Sequence, residues 1–120
     1  MAYVDGFVIP IPKKNIKSYA AMAKKAARVW IDHGALEVKE CVGEDLAVKF
    51  GMPFSRKLKI KRNETVLFSY IVYKSRAHRD RVNARVMKDP RLGKMTPKTM
   101  PFELKNMMYG GFKTLVDTRA

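Results

Sequence analysis

The sequence contains a single cysteine, Cys41, among 120 residues. One thiol excludes an internal disulfide and the paired cysteines of common zinc sites, and we expect Cys41 to be a small buried residue in a reducing cytoplasm. No apolar run approaches the ~18 residues of a membrane span. The sequence also shows no cationic segment followed by a long apolar stretch, so it predicts no secretion signal.

Acidic residues are scarce as well, with 11 Asp and Glu against 25 Lys and Arg and a formal net charge of +14. This charge would attract polyanions such as RNA or DNA, but it does not define a fold. The glycine-rich nucleotide loops, the G-x-S-x-G nucleophile motif and the H-E-x-x-H zinc motif are all missing. The sequence therefore indicates no cofactor and no metal, and it leaves open whether the protein is an enzyme.

The segment that stands out is residues 65–73, TVLFSYIVY. Alternate residues of a strand point to opposite sides of the sheet, and here both sides are apolar except for Ser69 and the tyrosine hydroxyls. Residues 3–11 show the same two-sided apolar pattern, interrupted by Asp5 and Gly6. Both segments are predicted to be central strands that need cover on both faces.

Helices and further strands are predicted around these segments. One helix follows Asn15 as its cap and ends at Gly34, and a second follows the cap Ser75 and ends near Lys88. Residues 36–42 and 107–116 are predicted strands, and the alternating lysines of residues 56–62 predict a short edge strand. The proline-containing residues 90–103 are predicted to form an arm that closes a binding site or clasps a partner.

This order of elements predicts one α+β domain over residues 1–120, with the ferredoxin-like βαββαβ plan. Right-handed crossovers would put both helices on one face of the antiparallel sheet. Val4, Gly6 and Val8 are assigned to that face because small residues permit close packing. The opposite face would need a second copy as cover, so we expect a homodimer in which two sheets meet.

Several segments resemble the YbaA-like family of bacterial proteins. They are YVDGFVIPIP at 3–12, HGALE at 33–37, ECVGED at 40–45, FSYIVYKSRAHRD at 68–80, MPF at 100–102 and YGGF at 109–112. The resemblance spans nearly the whole chain and implies a dimeric α+β barrel. The family brings no established activity or catalytic residues, and the strong basicity of this chain departs from what the resemblance implies.

Asp5 is the main candidate for chemistry, since a carboxylate within a central strand loses hydration unless it is paired or functional. The favoured interpretation is a structural salt bridge or a hydrogen-bonded strand end, with ligand binding or general-base catalysis as the alternative. In the functional interpretation a small organic ligand occupies the cavity of the dimeric barrel, and Tyr3, Phe7, Phe68 and Tyr70 bind it. Glu40 follows the same logic on a less central strand.

The two histidines are weaker candidates. His78 could lean toward the sheet, where a packed neutral ring is favoured over a catalytic or metal-binding role. His33 stands at a helix C-terminus, where the helix dipole favours a cation.

An alternative function is association with nucleic acid, because RNA-recognition modules share the βαββαβ order. The spacing of Phe68, Tyr70 and Tyr73 matches the aromatic positions of their third strand, although the preceding basic residue and glycine are missing. Basic residues at 56–62 and 74–91 could hold phosphates. Solvated charged surfaces are the favoured interpretation of these runs.

Overall fold

The structure, a computed structural model, describes residues 1–93, 96 and 98–120. Within these residues the chain forms four strands, β1 (Tyr3–Pro12), β2 (Glu37–Val42), β3 (Glu64–Tyr73) and β4 (Met108–Lys113). The helices are α1 (Ile16–Asp32), α2 (Phe54–Lys57) and α3 (Arg76–Met87), with short 3-10 turns at Lys13–Asn15, Pro90–Leu92 and Leu104–Asn106. The protein therefore has an α+β fold.

The strands form one open antiparallel sheet in the order β2-β3-β1-β4. β1 and β3 pair along ten residues each, from Tyr3 opposite Tyr73 to Pro12 opposite Glu64. The two strands with apolar residues on both sides are thus the central ones, as the sequence predicts.

The helix ends follow local sequence signals. The amides of Gly34 and Ala35 donate to the carbonyls of Ile31 and Trp30, both at 3.0 Å. This is a Schellman ending of α1, and the φ of +115° at Gly34 suits a residue without a side chain. At the start of α3, the hydroxyl of Ser75 accepts a hydrogen bond from the amide of His78. Asn15 precedes α1 but does not cap it, because its amide group donates to the carbonyl of Pro101.

The core lies between the sheet and helices α1 and α3. It consists of two clusters of buried residues, one of Ile9, Ile11, Tyr19, Ala23, Leu67 and Phe102, and the other of Val29, Ala35, Ile71, Tyr73, Val82 and Val86. Residues of β1 and β3 with odd numbers supply the sheet side of both clusters. This side is called the helix-facing side below.

The prediction that Val4, Gly6 and Val8 face the helices is wrong. Their odd-numbered neighbours do so instead, and Ile9 packs in the core. On the other side, the ring of Phe112 lies 3.4 Å from the position that a Cβ on Gly6 would occupy. The small residue admits an aromatic ring from β4, while large side chains of β1 fill the wider gap below the helices.

The predicted edge strand at residues 56–62 is also wrong. The segment begins with the helical turn α2, in which the amide of Leu58 donates to the carbonyl of Phe54 at 2.9 Å, and Lys59 then takes a left-handed φ of +52°. β3 offers no free edge to this segment, because β1 and β2 pair with its two sides. Local hydrogen bonds therefore decide its conformation.

The sheet side away from α1 and α3 is called the open face. Its strand residues are Val4, Gly6, Val8, Pro10, Pro12, Glu37, Lys39, Cys41, Glu64, Val66, Phe68, Tyr70, Val72, Met108, Gly110 and Phe112. α2 covers part of it, where the ring of Phe54 meets that of Phe68 edge-on. Phe68, Met108 and Phe112 are 47%, 51% and 62% exposed. Cys41 is exposed too, contrary to the prediction, because it lies on the outer strand β2.

The expected arm at 90–103 falls partly outside the described residues, since 94, 95 and 97 are not among them. Its described part joins the core: Phe102 is buried and meets the ring of Tyr19 edge-on, with 5.9 Å between centroids. None of the described helices is both long and apolar enough to cross a membrane.

Candidate ligand-binding pocket

A cavity of about 480 Å³ lies between the helix-facing side of the sheet and helices α1 and α3. Its size falls in the range of small-molecule sites. Apolar and aromatic side chains form most of its walls, and none of the described lining residues is basic. We call it the helix-side pocket, and its lining is Asp5, Phe7, Ile9, Tyr19, Met22, Ala23, Ala26, Ala27, Trp30, Val38, Glu40, Ser69, Ile71, Tyr73, Asn83, Met87, Leu92, Met100, Phe102, Leu104, Met107 and Tyr109.

Asp5 reaches this pocket from the centre of β1 and is only 1% exposed. Nη1 of Arg79, in α3, donates to Asp5 Oδ1 at 3.0 Å and to the hydroxyl oxygen of Tyr109 at 2.8 Å. The guanidinium also lies 5.0 Å from the ring centroid of Tyr3. Burial raises the pKa of Asp5, and the charge of Arg79 opposes this shift. Asp5 thus forms the salt bridge that one of the two structural interpretations predicts, and its role toward a ligand stays a prediction.

Asn83 organises the polar groups next to Asp5. Its Oδ1 accepts hydrogen bonds from the hydroxyl of Tyr73 at 3.1 Å and from Nε1 of Trp30 at 3.0 Å. These two donors hold the carbonyl end of the amide, and the Asn83 side chain lowers the pKa of the Asp5 carboxyl by hydrogen bonding. α1, β1, β3 and α3 are thus joined by one polar cluster at the pocket wall.

Glu40 supplies a second carboxyl group, from β2. The hydroxyl of Tyr19 donates to Glu40 Oε1 at 2.6 Å, and Ser69 lies opposite Glu40 on β3. Burial raises the pKa of Glu40, whereas hydrogen bonds from Tyr19 and Ser69 favour its charged form. The Glu40 residue is nonetheless exposed to solvent. Burial and the Glu40 contact raise the pKa of Tyr19 well above its ordinary value, which keeps this hydroxyl protonated.

The two carboxyl groups occupy different parts of the pocket. Asp5 pairs with Ile71 of β3, and Glu40 pairs with Ser69, two residues earlier on that strand. The two residues are separated by two strand spacings across the sheet and by two residues along the strands, which puts their Cα atoms about 12 Å apart. The pair can therefore contact two ends of one ligand rather than share a proton.

The structure separates the residues that the sequence assigns to one ligand site. Asp5 and Phe7 line the helix-side pocket, with the Phe7 ring stacked 4.9 Å from that of Tyr109. Tyr3 packs beside Arg79 on the same side. Phe68 and Tyr70 lie on the open face. The alternation of the strands makes a common site for all of these residues impossible within one chain.

Neither histidine lines the pocket. Nδ1 of His78 accepts a hydrogen bond from the amide of Lys74 at 2.9 Å, and its ring meets Tyr73 edge-on. Burial, followed by the charges of Lys74 and other cations, lowers the pKa of His78, which favours the neutral ring. His33 lies 2.8 Å from Asp89 Oδ2. Within the described residues no group of three or more His, Cys, Asp or Glu side chains is placed to hold a metal ion.

Sequence reasoning missed four polar residues near the site: Tyr19, Asn83 and Tyr109, which line the pocket, and Arg79, which pairs with Asp5 but is not among the described lining residues. Tyr19 follows the apolar period of α1 and therefore resembles a core residue. Arg79 is one of several basic residues in α3, and no local signal distinguishes the one that reaches Asp5. A buried acid predicts a cationic partner, but the choice among these residues depends on tertiary packing.

Together these features define an α+β protein with an open four-stranded antiparallel sheet. Between the sheet and the helices lies a largely apolar pocket that contains two separate carboxyl groups. Residues 2–104 match the model of a family described as "Protein of unknown function (DUF1428)". The chain is also 41% identical over 117 residues to "Uncharacterized protein YbaA" of Escherichia coli strain K12, covering 98% of this chain and 99% of that protein. The same description, identity and coverage hold for a relative from Shigella flexneri. The chain belongs to this YbaA-like family of unknown function.

Proposed function

We propose that this protein binds a small organic molecule in the helix-side pocket. The observation that carries the proposal is a cavity of about 480 Å³ with apolar walls and two separate carboxyl groups, both with raised pKa values. Sites of this kind combine apolar surface with a few placed polar groups and perturbed titratable residues. The site differs from the sequence prediction, which put the ligand between two sheets.

The chain's single tryptophan, Trp30, lines the pocket and provides a direct test. Titration with 4-phenylbutan-1-ol, a neutral aromatic alcohol, should change the fluorescence of Trp30 and saturate. Ala26→Phe fills the pocket from α1 and should abolish the response. Ala20→Phe puts the same ring on the exposed side of α1 and should leave the response intact. An undiminished response in Ala26→Phe would show that the alcohol binds elsewhere and would overturn the proposal.

The second part of the proposal is a homodimer through the open face, built on the ferredoxin-like plan as a dimeric α+β barrel. The strand order β2-β3-β1-β4 supports that plan. Phe68, Met108 and Phe112 leave large apolar surface on this face, which is unfavourable in water unless a partner covers it.

Charge supports a second copy as that partner. The chain carries a net charge of +14, so two copies repel each other over most of their surfaces. Among the strand residues of the open face, Lys39 is the one basic residue, and Glu37 and Glu64 are acidic. Apart from the region beside α2, which carries Arg56 and Lys57, like-charge repulsion is therefore weak where the two sheets would meet. A reducing cytoplasm is part of this proposal, because Cys41 lies exposed on the same face.

Nucleic-acid association is the alternative proposal, and the exposed ring of Phe68 is the observation that favours it. Phosphate contacts would require basic residues near this ring: Lys39 is the one basic strand residue of the open face, and the adjacent α2 carries Arg56 and Lys57. Binding of labelled RNA or duplex DNA that persists near physiological salt would support the alternative. Absence of retention at that salt would remove it.

A further inference from the structure

Glu40 differs from the other pocket carboxyl group in its partners. Asp5 pairs with Arg79 at 3.0 Å, so its charge is balanced inside the protein. Glu40 forms a hydrogen bond with Tyr19 at 2.6 Å, and in the described part of the chain it forms no ion pair with a basic residue. Hydroxyl donors orient and stabilise a carboxylate but do not neutralise it. The ionised group therefore keeps acceptor capacity on the pocket side.

The composition of the pocket points to the charge of its ligand. Lys and Arg make up 25 of the 120 residues, yet none of the described lining residues is basic. An anionic ligand would meet Glu40 without any compensating cation in the described lining. A cationic ligand would instead neutralise the one pocket carboxylate that lacks a charged partner there.

The aromatic walls favour the same ligand chemistry. Tyr19 contacts Glu40 directly, and its ring packs against that of Phe102. Trp30 also lines the pocket, as does Tyr73. The faces of aromatic rings attract cations, and Trp and Tyr attract them most strongly. Tyr19 is thus the ring beside Glu40, whereas Trp30 and Tyr73, next to Asn83 at the Asp5 end, offer surface to the rest of a ligand.

We propose that the ligand of the helix-side pocket is an amphipathic amine, with its ammonium group paired to Glu40 and its apolar body against the aromatic walls. This inference rests on the proposed function, since it names the chemical class of the molecule in the same pocket. The ammonium group contacts Glu40 Oε1 or Oε2, while Tyr19 acts as a positioning residue that holds the carboxylate by its hydroxyl.

Three probes with the same apolar body and different charge test the inference: 4-phenylbutylamine, 4-phenylbutan-1-ol and 4-phenylbutyrate. At neutral pH the first is a cation, the second neutral and the third an anion. Trp30 fluorescence reports the affinity of each. The amine should bind on the order of ten-fold more tightly than the alcohol, as a charge-assisted hydrogen bond predicts, and the carboxylate should bind most weakly.

The variants Glu40→Gln and Glu44→Gln provide a matched comparison. Both remove one negative charge from an exposed residue, but Glu44 lies in the connection after β2 and is not among the described lining residues of the pocket. Glu40→Gln should lower the affinity for the amine about ten-fold and leave that for the alcohol unchanged, whereas Glu44→Gln should alter neither. Acidification should likewise weaken amine binding as Glu40 takes up a proton, without weakening binding of the alcohol.

The possible results separate the inference from the proposed function. Equal affinity for amine and alcohol, or tighter binding of the carboxylate, overturns the inference and leaves small-molecule binding intact. An amine preference that survives Glu40→Gln also overturns it. If none of the three probes binds at millimolar concentration, both the inference and the proposed function are overturned.

Discussion

The guanidinium of Arg79 and the carboxylate of Asp5 form a buried ion pair between residues 74 positions apart, with 3.0 Å between Nη1 and Oδ1. The side chains are 14% and 2% exposed. The pair fastens α3 to β1, and its nitrogen also reaches the hydroxyl of Tyr109 in β4. One cation thus connects a helix with two neighbouring strands.

Removing the cation should therefore be costly. Arg79→Met leaves the Asp5 carboxylate buried without its partner, and we expect the free energy of unfolding to fall by about 3 kcal/mol in urea denaturation. Arg76→Met, at an exposed position of the same helix, should change it by less than about 0.5 kcal/mol. Adding Asp5→Asn to Arg79→Met should cost less than the sum of the two single changes. Equal effects of Arg79→Met and Arg76→Met would contradict a structural role for the pair.

Two adjacent glycines in β4 should respond differently to alanine. A Cβ on Gly111 would collide with the hydroxyl of Tyr3 and lie 2.9 Å from its ring carbons, so Tyr3 would have to leave its position beside Arg79. A Cβ on Gly110 would meet the ring of Phe112 at an ordinary 3.5 Å. We expect Gly111→Ala to lower the free energy of unfolding by about 1–3 kcal/mol and Gly110→Ala to change it little. Similar thermal midpoints for both variants would argue against the close packing of Tyr3 on β4.

The raised pKa of Glu40 predicts a specific pH dependence of stability. Because its folded-state pKa lies above the ordinary value of 4.5, the native protein holds this proton to higher pH than the unfolded chain does. The contribution of Glu40 to stability therefore falls as pH rises through the interval between the two values. The glutamine of Glu40→Gln does not titrate and so loses no stability over this interval. The free energy of unfolding of Glu40→Gln minus that of the native protein should therefore increase from acid to neutral pH.

Urea denaturation at several pH values checks this difference, with Glu44→Gln as the control for the loss of one acidic group. A stability difference for Glu40→Gln that stays constant with pH, or that decreases toward neutrality, would show that Glu40 is not held in the surroundings described.

The proposed dimer makes a prediction about mass in solution. The protein should sediment as a dimer at micromolar concentration, and Phe112→Asp should dissociate it by burying a charge in the interface. Phe50→Asp changes a 93% exposed residue in the connection between β2 and α2 and should leave the dimer intact. A monomer for the native sequence, or a dimer that tolerates Phe112→Asp, would exclude the open face as the interface.

The features that sequence reasoning predicted are those with local causes. Ser75 and Gly34 mark helix ends through their own backbone preferences, and the apolar runs of β1 and β3 require central positions. Orientation of these strands has no local cause. Because both sides of these strands are apolar, their alternation does not show which side faces the helices. The ring of Phe112, which comes from β4, packs over Gly6 and so favours the observed orientation of β1.

The candidate site could be predicted only in part for the same reason. Asp5 stands out because an acid in an apolar strand is unusual, and Glu40 follows by analogy. Their partners cannot be found this way, since Tyr19 resembles a core residue and Arg79 resembles its neighbours in α3. At residues 56–62 a local pattern gave a wrong prediction. The alternation of lysine with Leu58 and Ile60 is short, and the helical turn that starts at Phe54 forms in place of the predicted strand.

The strand order also has a consequence for synthesis of the chain. Of the four described strands β1 is made first, yet one of its two neighbours is β4, which is made after the other three. During translation, β1 can pair with β3 while its other edge stays without a hydrogen-bonding partner, and such edges promote contact between chains. A nascent chain stalled before Met108 would also lack Tyr109. The helix-side pocket therefore reaches its final form only when the C-terminal strand has left the ribosome.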